Sequence, residues 1–216
     1  MTPTWLQSPT MDRKHKIITS ALWAVLVVSM LGVIGGGLWA KSRHDPLPIL
    51  YDAPAFSLTD QAGKPFASQD LHGKTWIASF IFTHCPGACP KMSAKMSTLQ
   101  RTVPDPDVHL VSFTVDPERD TPEVLTRYGQ GYDADPKRWH FLTGEKQAMF
   151  DAAAGMKLSA APAGQFGPDI VHAEKFLLVD GDGRVRGIYD SNDEEDLKKL
   201  AADAADLANR QAGRLF

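Results

Sequence analysis

The chain has 216 residues, 43% of them hydrophobic, with a net charge of -3. This is enough for one full-sized hydrophobic core. The charge is unevenly placed, with +3 over residues 1–46 and -6 over the remainder. An acidic domain offers phosphates no basic face, so nucleic-acid binding is excluded.

Ile17 to Trp39 is a 23-residue stretch without a charge. As a helix it would span roughly 35 Å, enough for a hydrocarbon core of about 30 Å. Its end, Gly37-Leu38-Trp39-Ala40, is a poor cleavage site, so the segment reads as an uncleaved transmembrane anchor rather than a signal peptide. Arg13, Lys14 and Lys16 precede it, and Lys41 and Arg43 follow it. That bias puts the N-terminus in the cytoplasm and the rest of the chain in the periplasm or cell exterior. The expected division is therefore 1–16 cytoplasmic, 17–39 anchor, 40–50 linker, 51–209 folded domain and 210–216 tail.

Residues 56–59 and 65–67, joined by Asp60-Gln61-Ala62-Gly63-Lys64, predict an N-terminal hairpin. Thr75 to Phe82 is an apolar run suited to a central strand buried on both faces. The cysteine turn follows, and then a helix from Lys91 to Arg101. Val108 to Val115 predicts a second buried strand. Thr121 reads as a helix cap with Pro122 at the first helical position. A short strand over Trp139–Leu142 and a helix over Glu145–Ala154 come next. Glu174–Val179 and Arg184–Tyr189 predict a second hairpin around Asp180-Gly181-Asp182-Gly183. The last helix starts near Asn192 and turns Leu197, Leu200, Ala201, Ala204 and Leu207 to one face. Alternating strands and helices predict an α/β sandwich. A strand running straight into a cysteine-bearing helix start is the thioredoxin-like arrangement.

The chain has two cysteines, Cys85 and Cys89, in Thr83-His84-Cys85-Pro86-Gly87-Ala88-Cys89-Pro90. A helix N-terminus stabilises thiolate. A structural disulfide closing so short a loop would stabilise little. Three intervening residues, where redox pairs usually have two, turn the reading towards a metal, and two soft thiolates select Cu(I). A third ligand is then needed. His172, in a loop before the Glu174 strand, is the candidate; spacing alone does not separate it from a surface histidine. His84 neighbours Cys85 but should point away. His109 alternates with apolar residues and is expected to face solvent, and His72 and His140 have no partner motif. Met92 and Met96 are expected to fill the core. Asp116-Pro117-Glu118-Arg119-Asp120 follows the second buried strand, where functional loops of α/β sheets collect.

The blocks FIFTHCPGACPKM (80–92), TVDPERDTPEVLTRY (114–128), RWHFLTG (138–144) and LVDGDGRVRGIYD (178–190) resemble the Sco/SenC family over about Tyr51 to Tyr189. That family comprises extracytoplasmic copper proteins of cytochrome c oxidase assembly. The resemblance implies a thioredoxin-like fold and one copper, Cu(I) or Cu(II), on Cys85, Cys89 and His172. It gives Asp116 a role behind the ligands or in partner docking. Val171 stands where the family commonly has an Asp before its histidine, and Asp169 lies three residues upstream.

The implied function is a membrane-anchored copper metallochaperone. Its partner is the copper-bearing subunit of cytochrome c oxidase, with an upstream copper donor or thioredoxin-like reductant. The alternative is an enzyme, a thiol–disulfide oxidoreductase in which Cys85 attacks and Cys89 resolves. A peroxiredoxin-like peroxidase fits less well, because Phe82 stands where that motif wants Thr.

Overall fold

The computed structural model describes residues 22–33, 35, 47–103, 105–157 and 174–213. The chain forms two units, residues 1–46 and 47–216. In the first, residues 22–33 and 35 are helical. Among the described residues no helix is long and apolar enough to cross a membrane. The rest of the expected span, Ile17–Trp39, lies outside the described residues.

The second unit is built on one eight-stranded sheet. Its strands are β1 (Tyr51–Asp52), β2 (Ser57–Asp60), β3 (Pro65–Ala67), β4 (Thr75–Ile81), β5 (Val108–Thr114), β6 (Trp139–Thr143), β7 (Lys175–Val179) and β8 (Arg184–Asp190). The spatial order is β1-β8-β7-β4-β5-β6-β2-β3. β4, β5 and β6 are parallel, with Ile81 opposite Thr114. β7 runs antiparallel to β4 and pairs with β8. Both predicted hairpins form, as β2/β3 and β7/β8. The two-residue β1, too short to leave a periodic signal, was not expected.

Every residue of β4 and β5 is buried, as strands covered on both faces must be. One face packs Ile77, Ile81 and Leu110 against α1 (Ala88–Thr102) and α4 (Glu194–Gln211). The other packs Trp76, Phe80 and Phe113 with α3 (Lys146–Gly155) and the β2/β3 hairpin. Met92 and Met96 are core residues, as expected. Thr121 caps α2 (Pro122–Gln130) by accepting from the Val124 N–H, with Pro122 in the first turn. The β7/β8 turn needs Gly183 at φ +79°, and the Asp180 carboxylate accepts from the Asp182 and Arg184 N–H groups.

His109 corrects an expectation. It is buried, at 7% exposure, with its ring parallel to that of His140 at 5.6 Å. His109 Nδ1 and His140 Nε2 are 3.3 Å apart, and Phe66 packs on His140. Alternation on a strand cannot mark the outer side when both faces are covered. Burial, then the charges of Lys74, His140 and Arg138, push His109 down to about 4; burial also lowers His140. Unfolded histidine titrates near 6.5. The unfolded chain therefore binds more protons between about 6.5 and 4, and stability falls as pH drops through that window. At about 1.4 kcal/mol per pH decade, His109 contributes at most ~3 kcal/mol. The urea midpoint, followed from pH 7.5 down to 4.5, is expected to decline more steeply in the parent than in His109→Phe.

Candidate metal and thiol centre

The parallel strands deliver their carboxyl ends to one side of the sheet, and functional loops gather there in open α/β folds. β4 leads into the cysteine turn. β5 leads into residues 115–121, tied back by the Val115 N–H donating to the Ile81 carbonyl (2.8 Å). β7 begins on the same side because it runs antiparallel to β4.

Helix α1 starts at Ala88, three residues before the expected Lys91, with Gly87 as its cap. Cys85 therefore precedes the helix and Cys89 sits in its first turn. Pro90 falls in that turn as well, where a missing N–H breaks no helical bond. Both thiols are free, and they are 8% and 3% exposed. The Cys89 N–H donates to Cys85 Sγ at 3.4 Å, and the Phe82 N–H donates to Cys89 Sγ at 3.5 Å.

The two sulfurs are not equivalent. Burial raises the Cys85 pKa, but the N–H groups of Cys89, Gly87 and Ala88 and the Cys89 thiol outweigh it, and the net shift is downward. This is the helix N-terminus acting on a thiolate. Cys89 is pushed up to about 12, first by burial and then by the charges of Cys85 and Asp120, with the Phe82 N–H opposing. The turn thus favours thiolate at Cys85 and disfavours it at Cys89. Together they offer a soft two-sulfur donor set suited to Cu(I).

The other candidates fall out differently. His172 lies outside the described residues. Among the described residues no group of three His, Cys, Asp or Glu side chains could hold a metal ion. His84 is exposed, with Nδ1 3.1 Å from Thr83 Oγ1. Asp116 is partly exposed and pairs with Arg119 at 3.5 Å, a surface contact worth little.

The buried carboxylate of that loop is Asp120, which is fully inaccessible. It accepts hydrogen bonds from the Thr83 N–H (3.1 Å) and from the Thr83 and Thr114 hydroxyls (2.5 Å each). Sequence reasoning singled out Asp116, four residues earlier. Nothing local separates the two acids; the threonines that claim Asp120 lie 37 and 6 residues away.

A protein-family profile described as SCO1/SenC matches residues 51–209. The chain belongs to the SCO1/SenC family. The SCO1 protein homolog of Bacillus subtilis (strain 168) is 34% identical over 175 residues, covering 80% of this chain and 88% of that protein. Among solved structures, BsSco belongs to the Sco family of cytochrome c oxidase assembly proteins, and a disulfide switch has been identified in it. It aligns with a TM-score of 0.66 at 28% identity, over 77% of this chain and 99% of its own. ScoI of Bradyrhizobium japonicum, solved with copper bound, aligns with a TM-score of 0.58 at 26% identity, over 72% of this chain and 99% of its own. The expected thioredoxin-like α/β fold is thus the fold of Sco proteins, and the cysteine turn lies within the matched region.

Proposed function

We propose that this Sco protein is a copper metallochaperone that holds copper on Cys85, Cys89 and His172 and hands it to the copper-bearing subunit of cytochrome c oxidase. The observation that carries the reading is the pair of free, converging thiols at a helix N-terminus. A copper-bound ScoI and an oxidase-assembly BsSco among its relatives support both the metal and the destination. His172 precedes Lys175, the first residue of β7, by three positions, so at most ~11 Å of chain separates them. β7 starts on the side of the sheet where β4 ends, which supports His172 as the third ligand. Its imidazole would let the site accept Cu(II) as well as Cu(I). Asp116, in the loop after β5, is assigned a docking role.

The apolar stretch 17–39 anchors residues 51–209 to the membrane, with the N-terminus in the cytoplasm and the domain in the periplasm or cell exterior. Copper leaves by ligand exchange. The test is anaerobic Cu(I) titration of the full chain in detergent. One copper per chain is expected, with affinity weakened at least tenfold in His172→Ala. Unchanged affinity in that variant would remove His172 from the site.

The unequal thiols favour a second activity on the same atoms. Cys85 thiolate would attack a target disulfide, forming a mixed disulfide and releasing one target sulfur as thiolate. Cys89, losing its proton, would then attack Cys85 Sγ and release the second. The target gains two electrons, and Cys85–Cys89 becomes a disulfide that an external dithiol must reduce. Reduction of an oxidised oxidase-subunit peptide that survives His172→Ala, while copper binding falls, would establish this activity as separable.

A further inference from the structure

We infer that the β1/β8 edge of the domain is a membrane-contact surface, on which Ile49, Leu50 and Ile188 enter the polar–apolar boundary of the bilayer and Tyr51 stands at the rim. This deepens the anchor reading above and rests on it. Among the described residues from 47 onward, the large hydrophobic side chains that stand exposed are these three, at 56%, 44% and 45%. They share one edge of the sheet. The Leu50 N–H donates to the Val185 carbonyl (2.8 Å), and Tyr51 stands opposite Val185. The Arg186 side chain holds the Leu47 and Pro48 carbonyls. The entering chain is thereby laid along β8, the strand that carries Ile188. Exposed apolar side chains gathered in one place mark a surface that meets lipid or another protein.

The tether selects lipid. Only residues 40–46 lie between Trp39, where the apolar stretch ends, and Leu47, so at most ~28 Å of chain separates the two. Leu47 and Pro48 are fixed to this edge, so the edge held within reach of the bilayer is the apolar one. The flanking charges are matched: Lys175 pairs with Asp190, Arg184 pairs with Asp182, and Asp52 stands opposite Arg184 in the ladder. The contact is therefore burial of apolar surface rather than attraction to anionic headgroups. Tyr51 is half-buried, with Lys157 Nζ 4.3 Å from its ring centroid. An amphipathic ring and a long lysine side chain suit the level of the headgroups. β4, which leads into the cysteine turn, is the fourth strand from this edge, three spacings of ~4.8 Å or about 14 Å away. Contact along the edge lays the strands over the bilayer and holds Cys85 side-on at roughly that height, where a membrane-bound partner can meet it.

The test is methyl NMR of the isoleucine-labelled full chain in phosphatidylcholine nanodiscs doped with lipid that is spin-labelled near its acyl carbonyl. The Ile49 and Ile188 methyls are expected to show about tenfold more relaxation enhancement than those of Ile77 and Ile81, which lie in β4 about 14 Å deeper. Leu50→Glu, at an exposed position, should cut the Ile188 enhancement about fivefold by placing a charge in the contact. Enhancement at Ile49 and Ile188 within about twofold of Ile77 and Ile81, with Ile18 and Ile34 strongly relaxed, overturns the inference and leaves the anchor standing. If Ile18 and Ile34 are unaffected as well, the anchor reading fails and takes the inference with it. Ile49 and Ile188 methyls shielded from a water-soluble gadolinium chelate but untouched by the spin-labelled lipid would place a second copy or another protein on this edge, and would also overturn it.

Discussion

Replacing Cys89 with serine is expected to destroy copper binding and leave the fold standing. Cys89 is 3% exposed and packs with Met92 and Met96, so serine, nearly the same size, creates no large cavity. The Phe82 N–H that now donates to sulfur can donate to the new hydroxyl, and the stability cost should stay near 1 kcal/mol. The chemistry changes far more. A serine hydroxyl stays protonated at neutral pH and is a hard oxygen donor, whereas Cu(I) selects soft sulfur. The loss should exceed the roughly 10–100-fold that follows removal of a group merely supporting a ligand. A competition titration against a Cu(I) chelator measures it. Near-parental affinity in Cys89→Ser would place the metal elsewhere. His84→Ala, whose ring contacts Thr83, should leave the affinity unchanged.

Asp180→Ala should give the largest loss of stability. Asp180 is 1% exposed, and its Oδ2 meets Arg186 Nη1 at 2.8 Å and Arg184 Nε at 2.9 Å. Arg186 is itself 5% exposed and donates to the carbonyls of Pro48 (3.1 Å) and Leu47. Removing the carboxylate takes a charged acceptor from a buried guanidinium, a defect of about 3–5 kcal/mol. It also deletes Asp180 Oδ1, which accepts from both the Asp182 and the Arg184 N–H in the β7/β8 turn. At about 2–4 °C per kcal/mol for a chain of this size, the midpoint should fall by ~10 °C. Urea unfolding at pH 7.5 should show a lower midpoint with an unchanged slope. A loss below about 1 kcal/mol would mean that Arg186 is held by the chain around Leu47 rather than by the ion pair.

This cluster also shows where the linker ends. Residues 40–50 read as a spacer, yet Leu50 donates to the Val185 carbonyl (2.8 Å) and Leu47 and Pro48 are held by Arg186. The chain is fastened to β8 before β1 begins.

What the sequence disclosed follows from what its signals encode. β4 and β5 were legible because strands covered on both faces are apolar throughout. The α2 cap was legible because Thr121-Pro122 is a local chemical instruction. The cysteine turn was legible because soft thiols at a strand-to-helix junction serve few purposes. His109 was misread for the same reason that β5 was read correctly: a polar residue in a doubly covered strand has no solvent side to face. Asp120 was passed over for Asp116 because its partners, Thr83 and Thr114, meet only when β4 and β5 align. The inequality of the two sulfurs also needed the fold, since it depends on which N–H groups point at Cys85 and how deeply Cys89 is buried.

The most direct test of the copper site is X-ray absorption at the copper edge of the Cu(I)-loaded full chain, compared with His172→Ala. Two sulfur scatterers and one imidazole nitrogen are expected in the parent, with the nitrogen lost in the variant and both sulfurs kept. A copper shell without sulfur, or one that His172→Ala leaves unchanged, would contradict the assignment of Cys85, Cys89 and His172.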